Sequence, residues 1–166
     1  MYVTKELYTL MVLVIIIVAL LYSSLVEYCL HRFLLHHSYE QEHIKIHHKI
    51  FHGISSYELE EIDKTTVLSS AGEILRNVVL YSPAAAAVFI NNKALGILFL
   101  AVCMLYNAWE ELLHFYFHKK SDMFLEKLKI FQALKEHHRV HHYMYQYNFG
   151  IGSDFWDFIF RTKKRV

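Results

Sequence analysis

The sequence predicts an all-α integral membrane protein: a helical bundle of about three spans, with a histidine-rich helical cap on its cytoplasmic side. Three observations carry that expectation. The 166-residue chain is 55% hydrophobic, and its apolar residues are gathered into runs rather than spread at amphipathic spacing. Ten of its 13 histidines form four short groups, and those groups lie beyond the ends of the apolar runs. Within the groups, spacings of three or four residues recur, the separation that brings side chains onto one helical face. A single proline and five glycines leave little room for a linker, so residues 1–166 read as one domain.

The first element is Leu7 to Leu30, which contains an unbroken apolar run from Leu10 to Leu21. A hydrocarbon core needs about 20 residues, and this segment supplies them. Lys5 sits beside Glu6 and no A-x-A-like site follows, so the run reads as a retained span and not a cleaved signal. The second element, Ile74 to Ile90, is weaker, being interrupted by Arg76-Asn77 and Pro83; a buried or re-entrant helix is the alternative there. The third, Ala94 to Leu113, is strongly apolar, and Asn91-Asn92-Lys93 between the two is a turn signal that makes them a helical hairpin. Phe124 to Tyr143 follows as an interfacial or cytosolic helix, with Leu125, Leu128, Phe131 and Leu134 at helical spacing. The aromatic-rich stretch Tyr145 to Thr162, with Gly150 and Gly152, closes the chain.

Three spans place all four histidine groups on one side. Lys5 and Lys93 fall on the other side, whereas Arg32, Lys45, Lys49, Lys64, the cations of Lys119–Arg139 and the Arg161–Arg165 tail accompany the histidines. The positive-inside bias makes that face cytoplasmic. Net charge is only +1, so no nucleic-acid partner is implied, and the basic tail suits anionic lipid headgroups. Cys29 and Cys103 are far apart in apolar stretches and read as buried small residues, not as a disulfide or a metal motif.

The groups are His31-x4-His36, His43-x3-His47-His48, His114-x3-His118 and His138-x2-His141-His142. Neutral imidazole is the commonest metal-ligating side chain. A structural zinc is satisfied by four ligands, usually with cysteine among them, so ten histidines exceed one such site. They suit two adjacent metals with nitrogen donors, and two redox-active ions favour iron, with zinc as a substitute. Glu27 lies one turn before His31, and Glu110 and Glu111 one turn before His114. These carboxylates are candidates to accept the second ring N–H of a ligating histidine, to ligate directly, or simply to face headgroups. His37, His52 and His137 neighbour the groups and are expected to be solvated or hydrogen-bonded instead of ligating.

In this order the groups resemble the histidine signature of the fatty acid hydroxylase superfamily, which includes sterol desaturases and fatty acid 2-hydroxylases. The resemblance runs from Glu27 to the C-terminus and includes Glu111-x2-His114, Asn148-Phe149-Gly150 and Trp156-Asp157. Two features depart from the pattern: Glu111 stands where the family often has aspartate, and only six residues separate His36 from His43. That short spacer is similar to the small bacterial β-carotene hydroxylases, whose third-group His-Asp pair is absent here. The resemblance implies that His31, His36, His43, His47, His48, His114, His118, His138, His141 and His142 hold two iron ions. It implies O2 as co-substrate and hydroxylation or desaturation of an unactivated lipid C–H bond, most simply on a fatty acyl chain or sterol, with a carotenoid as the alternative. Trp109, Phe115, Tyr116 and Phe117 are candidates to line the lipid path, although aromatics on an apolar helix more often pack or anchor at the interface. The chain has no GxGxxG fingerprint, haem segment or iron–sulfur pattern, which implies a separate electron donor of ferredoxin or cytochrome b5 type.

The competing class is a histidine-rich membrane protein that binds or transports metal. Such a protein would carry ionisable residues at mid-membrane depth. Segments one and three are nearly free of polar residues there, Asn107 excepted.

Overall fold

The computed structural model describes residues 4–38, 43–52 and 56–165, so residues 39–42, the part of the short spacer that leads into His43, lie outside the described residues. Among the described residues the architecture is helical, and its only sheet-like feature is an isolated bridge between Leu59 and Lys119. Three helices are long and apolar enough to cross a membrane, over Lys5–His37, Lys64–Asn91 and Lys93–His118.

Helix α1 (Lys5–Cys29) starts where the Thr4 hydroxyl accepts from the Leu7 amide. Its outward face exposes Leu10, Leu13, Val14, Ile17 and Val18, a continuous apolar surface that suits lipid. Its inward face buries Ala19, Ser23 and Ser24, small residues that let helices approach closely. Ala19 joins Tyr81, Ala85, Phe99 and Cys103 in the core between the three spans; both cysteines are free, as expected, but only Cys103 is buried, Cys29 being half-buried at the end of α1.

Helix α2 (Ala71–Asn91) opens with a capping box in which Ser70 and Glu73 satisfy each other's backbone amides. The helix does not break at Arg76-Asn77 or at Pro83. At 21 residues it is about 31 Å long, enough for a span. Proline removes the amide that would bond the carbonyl four residues back, here Val79. The Ser82 hydroxyl donates to that carbonyl instead, at 2.9 Å, so no backbone group is orphaned. Asn92 ends α2 and its side chain caps α3 (Lys93–His118), accepting from the Leu95 amide at 3.2 Å. The hairpin is tight: a Cβ on Gly96 would lie 2.5 Å from the Phe89 backbone. Inside it, Asn77 donates to Asn107 at 3.0 Å.

Beyond the spans, the Phe124 to Tyr143 helix is two pieces: a 3₁₀ turn at Phe124–Lys127, an extended Leu128, then α4 (Lys129–Tyr143). The apolar spacing could not separate them, because 3₁₀ and α windings both bring i and i+3 to one side. Leu125, Leu128 and Leu134 accordingly all pack on one cluster built from Tyr57, Leu113, Phe117, Phe131 and Ile151. A short α5 (Phe155–Ile159) returns to α1, with the Trp156 indole donating to Ser24 and the Phe160 ring stacked on Tyr28.

Candidate metal centre

The first histidine pair depends on a change of winding. After Cys29 the helix continues as a π-helix over Leu30–Ser38. In an α-helix, residues five apart point about 140° away from each other. The i→i+5 bonding of a π-helix brings them back to one side, a winding found mostly at functional sites. His31 and His36 therefore meet, with ring centroids 5.1 Å apart. A second π segment, His43–His47, runs into one further turn at His48–Ile50. α3 supplies His114 and His118, and α4 supplies His138, His141 and His142.

The ten histidines assemble into two groups of five, each with its donor atoms within 4.8 Å of one another. His31, His36, His43, His48 and His141 form the first group; His47, His114, His118, His138 and His142 form the second. The division does not follow the sequence groups. His47 and His48 go to different groups, as do His141 and His142, because adjacent helical residues diverge by about 100°. His138 and His142, four apart, share the second group, whereas His141 turns to the first. The two groups abut: His48 stacks on His142 at 4.2 Å and His43 on His47 at 5.1 Å.

The geometry fits metal ions. His31 and His43 bring their Nε2 atoms to 2.9 Å, His36 and His141 to 3.1 Å, and His47 and His114 to 3.2 Å. His138 Nε2 lies 3.2 Å from that of His118 and 3.1 Å from that of His142. Cis ligands about 2.1 Å from one ion would be about 3.0 Å apart, so these are the spacings of neighbours around a shared cation. Both ring nitrogens of His48 are buried with no hydrogen-bond partner among the described residues. An ion in the first group would take one of them, which removes the penalty of a buried orphan.

Each group has two rings whose outer nitrogen is fixed by a backbone carbonyl. In the first, His31 Nδ1 donates to Phe149 O at 2.5 Å and His141 Nδ1 to Tyr147 O at 2.6 Å. In the second, His47 Nδ1 donates to Thr66 O at 2.9 Å and His118 Nδ1 to Tyr57 O at 3.0 Å. Donation from Nδ1 leaves the Nε2 lone pair aimed inward. Burial, reinforced by neighbouring imidazoles, holds His43, His48, His138, His141 and His142 well below the ordinary imidazole range. Burial also takes His47 down to about 4, against the Thr66 carbonyl, which pulls the other way. These rings are neutral at physiological pH, the state a metal requires.

The carboxylates expected behind the histidines do other work. Glu27 accepts from Tyr106 at 2.5 Å and from the Ile151 and Gly152 amides; Glu111 accepts from Ser69; Glu110 accepts from Asn107 at 3.3 Å. None of their hydrogen bonds is to a grouped histidine. His37 and His52 are exposed and outside both groups, as expected. His137 is buried and bonds Asp157 at 3.0 Å, the hydrogen-bonded role anticipated for it.

A cavity of about 820 Å³ opens against His31, His43, His47 and His114, so it touches both groups. Trp109, Phe115, Tyr116 and Phe117 do not line it: Phe117 is fully buried in the cluster against Phe131, and Trp109 is exposed on the outer face of α3. Leu30, Leu35, Ile46 and Ile151 supply its apolar wall, and Asn77, Asn107, Glu110 and Arg76 its polar one.

Membrane-length helices ending in two adjacent five-histidine clusters beside a cavity define a membrane protein with a histidine-rich centre able to hold metal ions. The fatty acid hydroxylase family model matches residues 16–162, and the chain belongs to that family. No curated protein and no solved structure matches the chain significantly.

Proposed function

We propose that the protein is a membrane-bound dimetal oxygenase that hydroxylates an unactivated C–H bond of a lipid, with its histidine centre on the cytoplasmic side. The observation that carries this reading is the pair of five-histidine groups sharing one cavity. Two iron ions, when bound, would pass the donor's electrons to dioxygen and supply Lewis acidity. The overall balance is one lipid C–H bond and O2, with two electrons and two protons, giving an alcohol and water. The electrons come from a separate ferredoxin- or cytochrome b5-type donor.

The chain's own contribution is orientation and enclosure. Carbonyl-anchored imidazoles hold their lone pairs inward, and the spans wall a chamber of mixed polarity against them. The mixed wall of that chamber favours an acyl or sterol lipid carrying a polar group over a hydrocarbon carotenoid. The polar residues of the cavity are also the feature that favours the competing transport reading. Its lining, however, starts at Glu27 in α1, at Asn107 in α3 and ends at Tyr81 in α2, about half-way along that helix. A lining that reaches only half-way along α2 suits a substrate chamber better than a translocation path.

The test is mass spectrometry of total lipids from cells expressing the protein or its His138→Ala variant, with an electron-donor system and fatty acid, sterol and carotenoid supplied. A lipid that gains one oxygen only with the intact protein is the expected result. Loss of two hydrogens makes the reaction a desaturation. No lipid difference, with metal flux across vesicles that needs His138, would replace this reading with the transport one.

A further inference from the structure

The C-terminal motif Asn148-Phe149-Gly150 with Trp156-Asp157 supplies no member of either histidine group, yet two carbonyls within residues 147–149 hold His141 and His31. Both of those rings belong to the first group. The carbonyls behind the second group, Tyr57 O and Thr66 O, come from a different stretch of chain. Each group thus has its own backing segment.

The segment behind the first group is clamped by Asp157, whose side chain is fully buried. Its carboxylate accepts from the Phe149 amide at 2.9 Å, the Gly150 amide at 2.7 Å, the Thr162 hydroxyl at 2.7 Å and His137 Nε2 at 3.0 Å. Four donors converging on a buried carboxylate make a charge-assisted knot in low dielectric. Asn148 completes it from the left-handed region at φ 57. Its side chain donates to the His137 and Lys164 carbonyls, both at 3.0 Å, and accepts from the Lys164 amide at 2.6 Å. Gly150 is required by the close approach, since a Cβ there would meet the Ser153 carbonyl and lie 3.0 Å from Asp157 Oδ2.

We infer that Asp157 is a positioning residue chiefly for the first histidine group: through the 147–150 loop it sets the two carbonyls that fix His31 and His141, whereas toward the second group it reaches only His137, the neighbour of His138 on α4. The second group has its own counterpart in Asp63, outside the centre. Asp63 Oδ1 accepts from the Thr65 amide at 3.0 Å and the Thr65 hydroxyl at 2.8 Å, and its carbonyl accepts from the Thr66 hydroxyl at 2.6 Å. This turn presents Thr66 O to His47. The inference rests on the reading of the ten histidines as ligands of two ions, and it adds that the two sites are tuned separately. Disturbing groups that orient metal-ligating histidines typically weakens metal binding by about 10- to 100-fold.

The experiment uses full-length protein purified in detergent, stripped of metal and titrated with Co²⁺. Cobalt per chain is counted by elemental mass spectrometry, the Co²⁺ visible spectrum reports each site, and circular dichroism checks the helices. Wild type is expected to bind two cobalt ions. Asp157→Asn is expected to keep one site at wild-type affinity and weaken the other by about 10- to 100-fold. Asp63→Ala should weaken the opposite site, so that its residual spectrum differs from that of Asp157→Asn. Thr162→Val removes one of the four donors and serves as the milder variant. Two unchanged sites in a folded Asp157→Asn protein, or equal weakening of both, would overturn the inference. If Asp157→Asn does not fold, unchanged affinities in Thr162→Val overturn it equally. Fewer than two cobalt ions on wild type would instead refute the dimetal reading on which it rests.

Discussion

Metal loading of this centre should release almost no protons even in mildly acidic solution. Five ordinary imidazoles with pKa values of about 6.5 carry about 3.8 protons near pH 6, and a metal entering such a site must displace them. In this protein burial holds the rings of the centre outside the spans below that range, with His47 at about 4. His47, at about 4, is about 1% protonated near pH 6, and burial lowers the other such rings in the same direction, so the centre carries far fewer protons than ordinary imidazoles would. The same depression has a cost for the metal-free fold. Between the folded value and about 6.5 the unfolded chain binds more protons, so stability is intact above about 6.5 and is lost as pH falls. For His47 the interval from 6.5 to about 4 corresponds to about 3 kcal/mol. The assay is isothermal titration of the metal-free protein with Co²⁺ in two buffers of different ionisation enthalpy, near pH 6. Less than about one proton per metal is expected; release of about four per metal would refute the argument that these rings are neutral before the metal arrives.

Three substitutions probe the supporting structure. Phe51 is fully buried and stacks on His118 at 4.1 Å, so Phe51→Ala should destabilise the protein by about 3–5 kcal/mol in denaturant titration in detergent; a loss under about 1 kcal/mol would contradict that packing. Ser82→Ala leaves the Val79 carbonyl unpaired opposite Pro83 and should cost about 1 kcal/mol in the same assay, with Ser82→Thr near wild type. Gly150→Ala drives a methyl against Ser153 and Asp157 and should cost about 1–3 kcal/mol or more, whereas Gly72→Ala, where a Cβ meets only Ser70 Oγ at 3.8 Å, should be neutral or stabilising.

The spans were legible because apolar length is itself the signal, but the second reads as starting only at Ile74, since the capping box of Ser70 and Glu73 that begins α2 lies in polar residues ahead of the apolar run. The rescue of Pro83 turns on one hydroxyl, Ser82, whose rotamer no periodicity reveals. All ten histidines were legible as members of a centre, but not their partition. The i, i+4 rule pairs His43 with His47, which the structure assigns to different groups, and it has no place for the His31-x4-His36 spacing that π winding explains. Backing by backbone carbonyls has no residue signature at all. Glu27, Glu110 and Glu111 therefore drew the expectation that Tyr57, Thr66, Tyr147 and Phe149 fulfil through their main chain. The aromatic residues of α3 are candidates for a lipid path only through the family resemblance, and helix phase turns Phe117 into the core and Trp109 outward.

The most direct test of the account is reaction of the iron-loaded protein in lipid vesicles with isotopically labelled dioxygen and a chemical or protein reductant, followed by mass spectrometry of the lipid. The account requires one labelled oxygen atom in a hydroxylated lipid product, formed by wild type and absent with His138→Ala. Product oxygen derived from water, or identical product with both proteins, would contradict the claim that this histidine centre inserts oxygen into a lipid C–H bond.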